Sequence, residues 1–215
     1  MTRKPPTLRE RQRLETRRLI QTQAMRLFLA RGYDETTVND VAEAARVSAM
    51  TVYRHFPTKE DLVLSDEYNA IIAERIAARP PHETLVQRIG RTFVEDIGLM
   101  VGGGSHERAA EGVRARLVVP GGKELLLARL KLVMATPALR ARQWESQYAI
   151  QRTIVEALRG DPPDRDLEFQ LWVASGACCA ALRAALFRWA EENGRPDLTR
   201  LLEDALAIAF AGQFP

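Results

Sequence analysis

Cysteine is nearly missing from this 215-residue chain: the only two are the neighbours Cys178 and Cys179. Within a helix, adjacent side chains diverge by about 100°, so these two do not bond to each other. They read as small packing residues of a reducing compartment, which points to the cytoplasm. Long apolar runs are also lacking. The most apolar stretch, Leu167–Trp189, is interrupted by Gln170, Arg183 and Arg188, so no membrane span is expected. The N-terminus is basic, but no apolar run follows it, and no secretory signal is expected. Histidine is scarce: His55, His82 and His106 have neither metal-ligand spacing nor a consistent acid partner. Gly102-Gly103-Gly104 is not followed by the lysine and hydroxyl of a phosphate loop. The chain is accordingly expected to be no enzyme and to hold neither metal nor cofactor. Convincing period-two alternation is absent too, which argues against a sheet.

What is present is an ordinary globular composition, 46% hydrophobic and 27% charged, with an uneven distribution of charge. Residues 1–18 carry seven cations against two acids, a net +5, whereas the remainder sums to −2. A basic arm on a slightly acidic body suits a polyanion partner, although charge alone fits a solvated tail equally well. Helical periodicity dominates. Ile20, Ala24, Leu27 and Phe28 form a stripe that stops at Gly32. Thr37 with Asp40 matches a capping box, followed by Val38, Val41, Ala42 and Ala45 on one face. Ser48 suits the cap of a further helix that closes before Pro57. Thr58 and Asp61 repeat the capping pattern and predict a helix over Leu62–Arg79. Later helices are punctuated by glycine and proline clusters, with Pro137 in a first turn capped by Thr136, and long final helices over 164–193 and 196–211. The expected fold is all-α: an N-terminal three-helix module over 1–65, and a larger helical bundle over 66–215.

Residues 36–56, TTVNDVAEAARVSAMTVYRHF, have the pattern of a helix-turn-helix. Val38, Val41, Ala42 and Ala45 are placed to pack against Val47, Val52 and Phe56, with small alanines permitting close approach. That leaves Ala49, Met50, Thr51, Tyr53, Arg54 and His55 directed outward to varying degree. Hydroxyls, a cation and an imidazole suit phosphate contacts, while Ala49 or Met50 suits a thymine methyl. A two-helix corner within a globular core fits the same pattern.

The run TTVNDVAEAARVSAMTVYRHFPTKEDL, preceded by LFLARGYDE, resembles the DNA-binding domain of the TetR family of regulators over about residues 10–65. The resemblance implies phosphate contacts near Thr37 and Ser48, and at Thr51, Tyr53, His55 and Lys59. It places Asn39, Ala49 and Met50 against base edges, and asparagine has the bidentate geometry for adenine. The apolar Ala49 and Met50 shift weight toward methyl contact and DNA shape. Arg9, Arg11, Arg13, Arg17 and Arg18 would add phosphate or minor-groove contacts.

The same resemblance implies a homodimer, an effector pocket in the larger domain and a double-stranded DNA operator as partner. The last two helices suit dimerisation: a small-residue stretch from Trp172 to Ala181 lies beside a face of Leu198, Leu201, Leu202, Leu206 and Phe210. An intrachain core would use the same residues. LKLVMATPALRARQWESQY and LRAALFRWAEENGRPDL are similar to C-terminal domains described as binding acyl-CoA-like ligands, implying a small, largely apolar effector. Candidate pocket residues are Phe93, Ile97, Met100, Leu130, Met134, Trp144, Tyr148, Phe169, Trp172 and Phe187, with Arg140 and Arg142 for an anionic head group. The implied function is a regulator, in the first instance a repressor, whose effector weakens operator binding. A regulator that recruits protein partners without any ligand is the alternative.

Overall fold

The computed structural model describes residues 8–64, 68–102, 122–162 and 164–211, and among these the only regular structure is helical. The chain separates into two compact units: residues 1–65 with Thr136–Arg142, and residues 66–135 with 143–215.

In the first unit, α1 spans Leu8–Arg31, α2 Val38–Ala44 and α3 Ala49–His55, followed by a 3₁₀ turn at Glu60–Leu62. The stripe Ile20, Ala24, Leu27 and Phe28 is buried, as its spacing requires. Gly32 ends α1 at φ 92°, a conformation that carries no Cβ penalty in glycine. The capping pair at Thr58 and Asp61 forms, with reciprocal bonds of 3.0 and 3.3 Å, but it opens the 3₁₀ turn and not the long helix expected over Leu62–Arg79. The reason lies in the next side chains. Leu62, Val63 and Leu64 are all buried, and three consecutive residues of an α-helix fan too widely to share one buried face. Asp61 is further held by Arg142, whose Nε and Nη2 donate to the same carboxylate oxygen at 3.0 and 2.9 Å. This pair ties the Thr136–Arg142 segment to the unit. Arg142, which the sequence offered for an anionic head group, is paired here with Asp61.

The second unit contains α4 (Asn69–Ala77), α5 (Leu85–Val101), α6 (Gly122–Ala135), α7 from residue 143 onward (the whole helix is Pro137–Leu158), α8 (Arg165–Glu191) and α9 (Leu198–Ala209). Its core joins Ala73 and Ile76 of α4, Ile89, Phe93 and Ile97 of α5, Leu130 of α6 and Ile154 of α7 to α8 and α9. The corner between α8 and α9 is built on Gly194 at φ 70°, where a Cβ would lie 3.2 Å from Trp189 and 3.3 Å from Leu127. Trp189 is fully buried, and its indole N–H donates to the Pro196 carbonyl at 3.1 Å, so its polar handle is satisfied. Cys178 and Cys179 are buried and unbonded, and burial pushes both thiols up to about 12, which leaves them as neutral packing groups.

Helix α8 is long and apolar enough to cross a membrane by length and composition, yet only 39% of its most apolar window is buried within the chain. Its core face carries Leu171, Ala174, Cys178, Ala181 and Ala185. The opposite face is also apolar: Phe169, Val173, Ala180 and Ala184 are exposed, with Ala177 and Phe187 half-buried between them. Two apolar faces on one helix account for the composition.

Ionic contacts fix α4 to α5. Arg88 donates to the carbonyls of Ile76 and Ala77 at 3.1 and 3.0 Å, capping the end of α4. Arg75 pairs with Glu95 and Asp96, and Arg79 bridges Glu83 at 2.6 Å and Glu95 at 2.8 Å. Glu83, 6% exposed, also accepts from Arg91 at 3.0 Å. The hydrogen bond from Arg79 is the main cause that lowers the Glu83 carboxyl to about 2, helped by Arg91. A depressed carboxyl stabilises the fold fully above its ordinary value of 4.5, and that contribution is lost as pH falls through about 2. Thermal unfolding of Glu83→Gln and the parent should therefore differ most above pH 4.5 and converge toward pH 2. A constant gap across that window would assign the stabilisation to another group.

Candidate nucleic-acid interface

The interface is built on the contact between α2 and α3. Val41, Ala42 and Ala45 are buried against the layer that holds Val52 and Phe56, all at 4% exposure or less. Short alanine side chains let the two backbones approach, so the pair has one packing angle. The turn between them is closed by Arg46 N–H on the Glu43 carbonyl at 3.0 Å and Val47 N–H on the Ala42 carbonyl at 2.9 Å. These bonds form a Schellman closure, which needs a left-handed residue at Arg46, where φ is 53°. Sequence reading did not single out Arg46; the available signal was a turn of fixed length without glycine.

Each helix begins with a side-chain cap. Thr37 and Asp40 exchange backbone-to-side-chain bonds of 2.7 and 3.1 Å, and the Thr37 hydroxyl bonds the same carboxylate at 2.5 Å. Those hydroxyl and backbone bonds hold the Asp40 carboxyl below its usual value. Ser48 Oγ accepts from Thr51 N–H at 3.1 Å and lies 2.9 Å from the Thr51 hydroxyl. Both cap hydroxyls expected near phosphates are thus already oriented by the helices they start. Thr37, Asn39 and Ser48 are exposed, as are Met50 (74%), Tyr53 (49%) and Arg54; Ala49, Thr51 and His55 are half-buried. Met50 is therefore the most prominent apolar group on this surface.

The basic segment is a helix from Leu8 onward, continuous with α1, where an arm was expected; residues 1–7 lie outside the described residues. Its Arg9, Gln12, Arg13 and Thr16, at successive helical turns, form one wall of a groove whose other wall is Val47, Thr51, Arg54 and His55. Gln12 and Thr16 escaped sequence reading, although their three- and seven-residue spacing from Arg9 carries the signal. Arg17 acts elsewhere. Its guanidinium lies 4.0 Å from the Phe56 ring centroid and donates to the His55 carbonyl, closing the C-terminus of α3. Lys59 is half-buried, its ammonium 4.2 Å from the Tyr33 ring centroid and 3.5 Å from the Asp34 carbonyl. Tyr33 in turn donates to Glu60 at 3.0 Å, and burial followed by that bond raises its phenol well above the usual value.

Of the pocket candidates, Phe93, Ile97 and Leu130 are buried in the core of the second unit, and Met100, Met134, Trp172 and Phe187 are half-buried. Trp144, Tyr148 and Phe169 are instead 62%, 58% and 70% exposed, facing outward where an enclosed wall was expected. Tyr148 stacks on Trp172 at 5.5 Å between centroids, and the Arg183 guanidinium covers Trp144 at 4.3 Å. Helical spacing identifies an apolar stripe without saying which body covers it. Arg140 is exposed.

Two outcomes follow. Arg46→Gly should stabilise the protein by about 1 kcal/mol, because an L-residue in the left-handed region costs about that much and the exposed side chain packs little. A urea midpoint that stays put or falls would contradict it. Lys59→Ala should reduce the salt dependence of DNA binding by about one unit of slope. An unchanged slope would remove Lys59 from the phosphate contacts.

Comparison with known proteins agrees with this geometry. Residues 20–65 match the family described as bacterial regulatory proteins, tetR family, and residues 110–213 match the MftR C-terminal domain. The HTH-type transcriptional regulator TcmR of Streptomyces glaucescens is 33% identical over 175 residues, covering 79% of this chain and 71% of TcmR. Among solved structures, NalD of Pseudomonas aeruginosa aligns over 93% of this chain and 97% of its own, at 21% identity and a TM-score of 0.54. A TetR-family regulator of Streptomyces coelicolor A3 aligns over 98% of both chains, at 20% identity and a TM-score of 0.53. At that identity the two structures speak for the fold. The helix-turn-helix, the helical second unit and the relationship to TcmR make this chain a member of the TetR family of DNA-binding transcriptional regulators.

Proposed function

We propose that this regulator is a repressor that holds a palindromic operator as a homodimer and is released by a small, largely apolar effector. The exposed surface of α2 and α3 carries the reading. Hydroxyls, a phenol, guanidinia and an imidazole lie around the protruding Met50, and the groove lined by Arg9, Arg13, Arg54 and His55 suits the phosphate backbone. Asn39 is exposed at the second position of α2 and is the group best equipped to read an adenine edge. The repressor assignment is supported by NalD, described as the secondary repressor of a multidrug efflux pump, and by a short match to the repressor KstR2 of Rhodococcus jostii.

The second apolar face of α8 supports dimerisation. Phe169, Val173, Ala180 and Ala184 lie in one exposed stripe, and Ile208 of α9 is 83% exposed. A second copy of the same face would bury both stripes at once, as a two-fold interface requires. For the effector, half-buried Met100, Met134 and Phe187, packed against the cluster of buried Phe93, Ile97 and Leu130, offer apolar surface. The acyl-CoA-like type rests on the resemblance of residues 130–148 and 182–198 alone. An effector that prefers the non-binding state lowers operator affinity by the same factor by which DNA lowers its own.

Selection of bound sequences from random duplex DNA tests the reading. The expected product is a palindrome with half-site centres about one helical turn, or a multiple of it, apart. A non-palindromic consensus, or none, would contradict it. Ala180→Glu should convert the dimer to a monomer in sedimentation and abolish operator binding, whereas an unchanged mass would move the interface elsewhere. Stable operator binding that no small molecule releases would favour recruitment of a protein partner.

A further inference from the structure

Helix α6 reads GKELLLARLKLVMA, and one of its cations stands on the wrong side. Its exposed positions are Lys123, Glu124, Lys131 and Ala135. Arg129 lies almost opposite them on the helical wheel, flanked at three- and four-residue spacing by half-buried Leu125, Leu126 and Leu132 and by buried Val133. Leucine fills the comparable inward positions. An arginine there costs free energy unless its charge is answered, because desolvation penalises an unpaired interior cation. Other interior guanidinia among the described residues are answered: Arg75 by Glu95 and Asp96, Arg79 by Glu83 and Glu95, Arg142 by Asp61. Arg129 is different. Among the described residues it makes no hydrogen bond or ion pair, and its charge is favoured by the phenol of half-buried Tyr68 just before α4. Surrounding protein depresses the guanidinium below its ordinary value, yet the side chain keeps part of its accessible surface.

We propose that Arg129, assisted by the Tyr68 hydroxyl, is an anion-recognition site for the effector, which is an amphipathic molecule with a carboxylate or phosphate head on an apolar body. The planar guanidinium offers two parallel donors to either head group, and binding would supply the charge that the fold leaves unanswered. The inference rests on the apolar-effector reading above and adds the sign and chemistry of the ligand's polar end. It also transfers to Arg129 the role that sequence alone offered to Arg140 and Arg142.

The test compares dodecanoate, dodecyl phosphate and dodecanol as probes of the full-length dimer, by calorimetric titration and thermal shift, in the parent, Arg129→Met and Arg129→Lys. At least one of the two anions should bind the parent more tightly than the alcohol does, and the better of the two identifies the head group. Arg129→Met should weaken that anion by about tenfold or more, as expected for a charge-assisted hydrogen bond, and leave dodecanol within about twofold. Arg129→Lys should recover part of the loss. Without ligand, Arg129→Met should melt at or above the parent temperature, because it removes an uncompensated interior charge. An Arg129→Met protein that melts several degrees lower would mean that the guanidinium has a structural partner, and would overturn the site. Anions that bind no better than dodecanol, or equally well to Arg129→Met, would overturn it while leaving an apolar effector in place. Failure of all three probes to bind the parent would remove the apolar effector itself, and this proposal with it.

Discussion

The close contact between α2 and α3 is the constraint on which DNA recognition depends. Val41, Ala42 and Ala45 meet Val52 and Phe56 with almost no accessible surface left, so neither helix can rotate without opening a cavity. Because that inner face is fixed, the outer face is fixed with it: Asn39, Met50, Tyr53 and Arg54 stand outward because their neighbours are committed inward. The turn that permits the contact places Arg46 in a left-handed conformation that glycine adopts more cheaply. Arg17 secures the far end of α3 through the Phe56 ring and the His55 carbonyl. The exposed polar groups thus sit on a support held by apolar packing, a bridged turn and one stacked cation.

Charge pairing is uneven along the chain. Several cations with structural roles hold carboxylates: Arg142 holds Asp61, and Arg75, Arg79 and Arg91 hold the acids that fasten α4 to α5. The groove between α1 and α3 gathers Arg9, Arg13 and Arg54 among its lining, a concentration of positive charge suited to a polyanion. Arg129, half-buried on α6, likewise makes no ion pair among the described residues. In the same way, α8 uses one apolar face in its own core and leaves another exposed, which gives it a composition that also passes for a membrane span.

The all-helical class, the capping boxes at Thr37 and Thr58 and the helix-turn-helix were legible in the chain itself, because each depends on contacts three or four residues apart. The buried stripe of α1 and the satisfied caps of α2 and α3 follow from spacing alone. The helix expected from Leu62 was not legible: Leu62, Val63 and Leu64 are all buried, and only the surrounding unit determines that. Nor was the pairing of Asp61 with Arg142, which are 81 positions apart, so no local pattern encodes it.

The sequence by itself determined the helices, the recognition motif and its family, since local hydrogen bonding and apolar periodicity are written at short range. Only the tertiary structure decided which apolar stripe is core and which is left open, turning Trp144, Tyr148 and Phe169 outward while enclosing Phe93 and Ile97. It likewise decided which arginines are neutralised and which are not. Burial and charge pairing depend on what the rest of the chain brings alongside, and a periodic pattern specifies a face without specifying its neighbour.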